Sequence, residues 1–65
     1  MSAFTEGLQL VSDRQGWAKV DEVRRAHGAM VVDALLSKGY VVIDPGDDTL
    51  QLTPAGARAA KDLRP

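Results

Sequence analysis

The chain has 65 residues, of which 26% are charged; its formal net charge is −1 at pH 7, and it has no cysteine. This length permits one small domain, here residues 1–65, and the absence of cysteine excludes disulfides and thiolate zinc sites. The small net charge gives no overall attraction to nucleic acid or to an anionic membrane. No apolar run approaches the roughly 20 residues of a membrane span and no signal peptide is evident, so we expect a cytoplasmic protein.

The first predicted element is a helix from Met1 to Arg14. Its apolar residues recur at the spacing of one helical face: Phe4, Leu8 and Val11. Ser2 is a candidate N-cap, because its hydroxyl oxygen can accept a hydrogen bond from a free amide of the first turn. We expect this helix to end at Gln15–Gly16, since glycine commonly follows the last helical turn.

A short extended segment follows, from Trp17 to Val20. We interpret Trp17 as a core anchor rather than a ligand-stacking residue, because large aromatic side chains dominate small cores. Asp21 is then expected to cap a second helix. Glu22 falls in the first turn, where a carboxylate interacts favourably with the helix dipole.

The region from Asp21 to Lys38 fits either one long helix or two shorter ones. Its apolar stripe has spacings of three and four residues: Val20, Val23, His27, Met30 and Ala34. A single helix would run through Gly28 at a cost of about 1 kcal/mol relative to alanine. Glycine commonly ends a helix, so we favour two helices with a tight corner at His27–Gly28.

The next two segments predict a β-hairpin. Tyr40–Ile43 has the β-branched and aromatic composition of a strand, and Thr49–Leu52 alternates polar and apolar residues. Between them, Asp44–Asp48 is rich in turn-forming residues. In the resulting antiparallel pair, Val41 and Ile43 are expected to face the core.

Local signals also mark the helix boundaries around this hairpin. Gly39 is expected to follow the end of the preceding helix in a left-handed conformation. Thr53 is a candidate N-cap, and Pro54 suits the first position of a last helix that runs to Arg64. That helix has a narrow face of small residues suited to close packing: Gly56, Ala59, Ala60 and Leu63.

Two segments carry a family pattern: VVDALLSKGYV (Val31–Val41) and TLQLTPAGARAA (Thr49–Ala60). The first resembles the end of a recognition helix that leads into a wing strand, and the second resembles the other wing strand with the helix after it. Together they resemble the winged helix-turn-helix domain of MarR-like regulators. The resemblance implies an α+β fold with a helix, a short strand, two helices, a β-hairpin wing and a C-terminal helix. It also implies a dimeric DNA-binding regulator of transcription.

The chain departs from that family where DNA would be read. The start of the recognition helix has no side chain that can hydrogen-bond to a base edge: Gly28, Ala29 and Met30. The wing tip carries carboxylates that phosphates would repel: Asp44, Asp47 and Asp48. Contact with double-stranded DNA is therefore expected to go mainly to phosphates, through Lys19, Arg24 and Arg25. The alternative is that these three form an ordinary solvated face.

A second functional hypothesis is contact with another protein or a second copy of the chain. Leu35 belongs to the apolar stripe of its helix, so Leu36 is expected to point away from the core. Strand alternation likewise predicts that Tyr40 and Val42 face outward. Leu36, Tyr40 and Val42 would then form an exposed apolar patch, which is typical of interaction sites. The alternative is that the N-terminal helix covers Val42.

We expect neither enzymatic activity nor a cofactor or metal. The serines, the single histidine and the carboxylates show no spacing typical of nucleophilic or acid–base catalysis. The aspartates of Asp44–Asp48 lack the regular ligand spacing of a calcium-binding loop. We interpret them as turn residues.

Overall fold

The computed structural model of the chain describes residues 2–63 and confirms the predicted α+β class. The predicted helix positions Met1 and Arg64 lie outside the described residues. The elements occur in the predicted order, and their bounds are α1 (Ala3–Asp13), β1 (Trp17–Lys19), α2 (Val20–His27), α3 (Ala29–Ser37), β2 (Val41–Asp44), β3 (Thr49–Leu52) and α4 (Pro54–Leu63). Among residues 2–63, no helix combines the length and apolarity needed to cross a bilayer.

The three strands form one antiparallel sheet in the order β1-β3-β2. In this register Ala18 lies opposite Leu50, and Leu50 lies opposite Ile43 on its other side. Paired residues share a face of the sheet, so these side chains define an inner face. Ile43 is on that face, as predicted, but remains 44% exposed. Val41, on the same strand and face, is 1% exposed, so the exposure is confined to the end of β2 next to the hairpin turn.

The core lies between the inner face of the sheet and the helices. Helix α1 is central, since it contacts the other three helices as well as β1 and β3. The core contains buried residues from every helix and strand: Leu8, Val11, Ala18, Val20, Val23, Val31, Val32, Leu35, Val41, Leu50 and Ala60. The predicted stripe of α1 is confirmed for Leu8 and Val11, which are both fully buried, whereas Phe4 is only partly buried against the core.

The corner between α2 and α3 is confirmed as two helices. Gly28 separates them with φ of +100°, a conformation that side-chain-bearing residues rarely adopt. Its amide donates to the Arg24 carbonyl at 2.8 Å and closes α2. The backbone then turns directly into α3, with a single residue between the two helices.

The predicted capping role of Asp21 is wrong. Helix α2 begins at Val20, two residues earlier than a cap at Asp21 implies, and its N-cap is Lys19, which makes no side-chain capping bond. The reason is that β1 continues into α2 without a loop: the Val20 amide still donates to the Asp48 carbonyl at 3.0 Å. Asp21 therefore lies in the first turn, where its carboxylate is 3.4 Å from the Arg24 guanidinium.

The predicted end of α3 and the predicted start of α4 are confirmed, and the Thr53 side chain joins them. Gly39 has φ of +73° and donates to the Leu36 carbonyl, while the Tyr40 amide donates to the Leu35 carbonyl, both at 3.1 Å. This pair of bonds is a Schellman motif. The Thr53 hydroxyl accepts from the Gly56 amide at 3.0 Å and donates to the Gly39 carbonyl at 2.6 Å.

Candidate interaction surface on the outer face of the sheet

The sheet has an outer face that begins with Trp17. Ala18 is only 2% exposed and belongs to the core, so strand alternation turns its neighbours Trp17 and Lys19 outward. Trp17 is 50% exposed, and the prediction that it anchors the core is wrong. The physical reason is that a strand of three residues has one inward position, and alanine occupies it. The exposed Lys19 two positions later is the signal that could have located Trp17 correctly.

Pairing across the sheet brings Trp17 into a row with two residues distant in sequence. Trp17 lies opposite Gln51, and Gln51 lies opposite Val42 on its other side. Neighbouring strands are about 4.8 Å apart, which places Trp17 and Val42 about 10 Å apart with Gln51 between them. Val42 is 51% exposed, close to the value for Trp17. An aromatic and an aliphatic side chain thus flank a polar one on an open surface.

A second row of the outer face runs alongside, with Lys19, Thr49 and Asp44 in register. Thr49, at its centre, is only 4% exposed, so this row reaches solvent mainly through its two charged ends. The Lys19 ammonium donates to the Asp47 carbonyl at 3.0 Å. The Asp44 carboxylate accepts from the Gly46 amide at 3.0 Å and from the Gln51 side chain at 3.2 Å. A cation therefore occupies the β1 edge of this row and an anion occupies the β2 edge.

The residues predicted to form an interaction patch are distributed over two parts of the fold. Val42 lies on the outer face, so the alternative in which the N-terminal helix covers it is wrong. Tyr40 is half-buried, with its ring centroid 6.1 Å from that of Phe4. Leu36 is half-buried on α3 and packs against the core. Of the three, Val42 alone joins the row that contains Trp17.

The residues predicted to contact DNA are all exposed, but they lie on two elements. Lys19 belongs to β1 and the outer face of the sheet, whereas Arg24 and Arg25 lie on α2. The Arg24 guanidinium is 3.4 Å from the Asp21 carboxylate. Arg24 and Arg25 are adjacent on the last turn of α2, and both side chains are exposed.

The exposed surface of α3 offers little to a base pair. Its first turn contains Ala29 and Met30, and Met30 is 84% exposed. Asp33 is also exposed, and its carboxylate would be repelled by phosphates. Direct reading of bases depends mostly on hydrogen-bond donors such as arginine or asparagine, and α3 has neither.

The described part of the chain shows no other candidate site. Residues 2–63 form no ligand-sized pocket, and they bring together no group of histidine and acidic side chains that could hold a metal ion. Comparison of the chain with protein-family models, with curated proteins and with solved structures found no match.

Proposed function

We propose that this domain is a protein-interaction module that docks through the outer face of its sheet. The observation that carries the proposal is the row formed by Trp17, Gln51 and Val42, in which both apolar members are about half exposed. A tryptophan side chain offers roughly 150–250 Å² of contact area, and aromatic residues are enriched in interface cores. The helices pack against the opposite face, so a partner can reach this row without disturbing the core.

The residues around the row support this role. Lys19 and Asp44 lie beside it at opposite edges of the sheet, so charged groups border the row on one side. Protein interfaces likewise combine exposed apolar residues with polar groups at the border. In contrast, the α3 surface exposes Met30 beside small residues and Asp33, and it has no comparable aromatic residue.

Site-specific photo-crosslinking tests the proposal. A photoreactive amino acid is introduced at the sheet positions Trp17 and Val42 and, as matched exposed controls, at Met30 on α3 and Arg58 on α4. Each variant is made in the native host and irradiated there. We expect protein adducts from the two sheet positions and none from the controls. Adducts from position 30 or 58 alone, or from no position, would contradict the proposal.

A second candidate function is contact with the phosphates of double-stranded DNA. The specific observation in its favour is that Arg24 and Arg25 are adjacent and exposed on α2, the helix before the position of a recognition helix. The winged-helix resemblance favours it as well. Such contacts carry no base information, so binding would be weakly selective and would fall steeply as salt rises.

A salt titration of duplex binding tests this candidate. The double variant Arg24→Ala, Arg25→Ala is compared with Arg58→Ala, Lys61→Ala, which removes the same charge from α4. If the candidate is correct, the first variant lowers the log–log salt slope by about two and the second leaves it unchanged. Absence of binding at about 50 mM salt, where phosphate contacts are strongest, would exclude this function.

A further inference from the structure

We infer that the partner of the outer face is a second copy of the same chain, arranged with two-fold symmetry. The inference rests on the proposed function, because it names the partner of the same surface. Its basis is the self-complementarity of the two rows. Each row has unlike residues at its two ends, and its centre on β3 is the exposed Gln51 in the first row and the buried Thr49 in the second. The contact would therefore be made by Gln51 and by the ends of both rows.

The geometry follows from placing the two-fold axis parallel to β3, between two sheets about 10 Å apart. Rotation about this axis exchanges the β1 and β2 edges and preserves the position along the strands. Trp17 of one copy then lies over Val42 of the other, and Val42 of the first lies over Trp17 of the second. Gln51 meets its own equivalent near the axis, where two amide groups can donate to and accept from each other.

The charged row is complementary under the same operation. Lys19 of one copy lies over Asp44 of the other, and the reciprocal pair forms at the opposite edge. Both pairs lie at the border of the contact, where opposite charges fix orientation and register. One two-fold symmetric contact therefore pairs Trp17 with Val42 and Lys19 with Asp44 at the same time.

The other in-plane two-fold axis, perpendicular to the strands, gives a poorer match. It places each strand over its own equivalent. Centred between the rows, it would set Val42 against the carboxylate of Asp44 and Trp17 against the ammonium of Lys19. The first of these contacts would desolvate a carboxylate against an aliphatic side chain, which is unfavourable. Of these two arrangements, the axis parallel to β3 is the one that pairs apolar residues with each other and opposite charges with each other.

The size of the face predicts a weak dimer. Three strands of three or four residues make a surface roughly 14 Å wide and 12 Å long. Two such faces bury less than the roughly 1,200 Å² at which stable complexes begin. We therefore expect dissociation constants between about 10 µM and 1 mM.

Charge reversal provides the test. Lys19→Glu and Asp44→Lys each place like charges over one another twice in the homodimer. Each variant alone is therefore expected to self-associate at least about tenfold more weakly than the natural chain in sedimentation equilibrium. A mixture of the two variants restores opposite charges in both pairs, so we expect a heterodimer about as stable as the natural homodimer.

Lys61→Glu and Asp62→Lys are the matched controls. They make the same charge changes as Lys19→Glu and Asp44→Lys, but on α4. Each control variant therefore has the same net charge as the sheet variant that it matches, while the sheet is unaltered. We expect neither control variant to change self-association, alone or mixed. Circular dichroism confirms that each variant is folded. A mixture of the position 19 and position 44 variants that associates no better than either alone would overturn the two-fold arrangement.

A measurement on the natural sequence is also needed, because Asp44 accepts hydrogen bonds within the hairpin and its replacement could disturb the fold. Isotope-filtered NMR on a mixture of labelled and unlabelled chains detects contacts between copies only. We expect cross-peaks from the Trp17 indole to the Val42 methyl groups. Their absence at millimolar concentration would overturn the inference.

The crosslinking experiment separates failure of this inference from failure of the proposed function. Adducts from positions 17 and 42 with twice the mass of the chain support the second copy. Adducts at the same positions that consist only of a different polypeptide overturn the second copy and leave the docking surface in place. Absence of adducts at both positions would refute the proposed function itself.

Discussion

Trp17 illustrates at the residue scale how alternation along a strand overrides the tendency of large aromatic residues to be buried. Ala18 takes the inward position of β1, and Trp17 keeps half of its surface in solvent. Because Trp17 is half exposed, we expect Trp17→Ala to lower the free energy of unfolding by less than about 2 kcal/mol. Leu50 is fully buried, and we expect Leu50→Ala to lower it by about 2–5 kcal/mol. Urea denaturation of both variants checks this. A larger loss for Trp17→Ala than for Leu50→Ala would contradict the placement.

Gly56 is required for a different reason, the close approach of α4 to the chain before β2. A methyl group added there would overlap the Tyr40 carbonyl oxygen and would lie 2.9 Å from a Leu52 methyl. At an open helical site, replacing glycine by alanine stabilises by about 1 kcal/mol. Here we expect Gly56→Ala to destabilise by about 1–3 kcal/mol, because backbone atoms must move. Thermal unfolding of the variant and the natural chain shows whether Gly56→Ala lowers or raises the stability.

The control for Gly56 is Ala57→Gly, at the neighbouring exposed position of the same helix. Its expected cost is only the intrinsic preference of alanine for helix, about 1 kcal/mol. A gain of stability for Gly56→Ala would show that α4 does not approach Tyr40 this closely.

At the scale of elements, Thr53 joins the end of α3 to the start of α4. Its hydroxyl caps α4 and also donates to the Gly39 carbonyl, so two elements depend on one oxygen atom. Thr53→Ala should therefore cost about 1–2 kcal/mol, at the upper end of the range for an N-cap. Thr53→Ser keeps both hydrogen bonds and should recover most of that loss. Chemical denaturation compares them, and equal losses for the two variants would contradict the capping role.

The predictable elements are those with signals in adjacent residues. Gly28 and Gly39 marked two helix ends because a left-handed backbone favours glycine, and Thr53–Pro54 marked a helix start through local hydrogen bonding. The prediction for Asp21 was wrong because the deciding hydrogen bond is not local. The residues around Asp21 suit an N-cap, but the Val20 amide donates to the carbonyl of Asp48, which is far away in the sequence. Local pattern contains no information on such a bond.

The candidate surface was only partly predictable for the same physical reason. Alternation in the second half of the chain placed Val42 on an outer face. Its neighbours there depend on the pairing of β1 with β3, which joins Trp17 to Gln51 across a long stretch of chain. Tyr40 was expected beside Val42, but it turns toward Phe4 of α1. The register of a sheet is set by contacts that no single segment contains.

At the scale of the whole molecule, the outer face of the sheet and the exposed surface of α3 differ in chemistry. The variant Val42→Glu tests which of the two surfaces mediates association. The change introduces a charge into the apolar row and should weaken association, while the circular dichroism of the helices stays unchanged because Val42 is half exposed. Met30→Glu makes the same change in charge on α3, where the side chain is 84% exposed, and should leave association intact. Sedimentation velocity compares the variants. Loss of association in Met30→Glu alone would assign docking to α3.

Quenching of the single tryptophan shows whether the outer face of the sheet is the docking surface, because Trp17 is the large apolar residue of that face. Acrylamide quenching is measured on the natural chain across a concentration series, and sedimentation of the same samples gives the associated fraction. We expect efficient quenching of Trp17 in dilute solution and protection from acrylamide that increases in proportion to the associated fraction. Association that leaves Trp17 as accessible as in the dilute chain would show that the outer face of the sheet is not the docking surface.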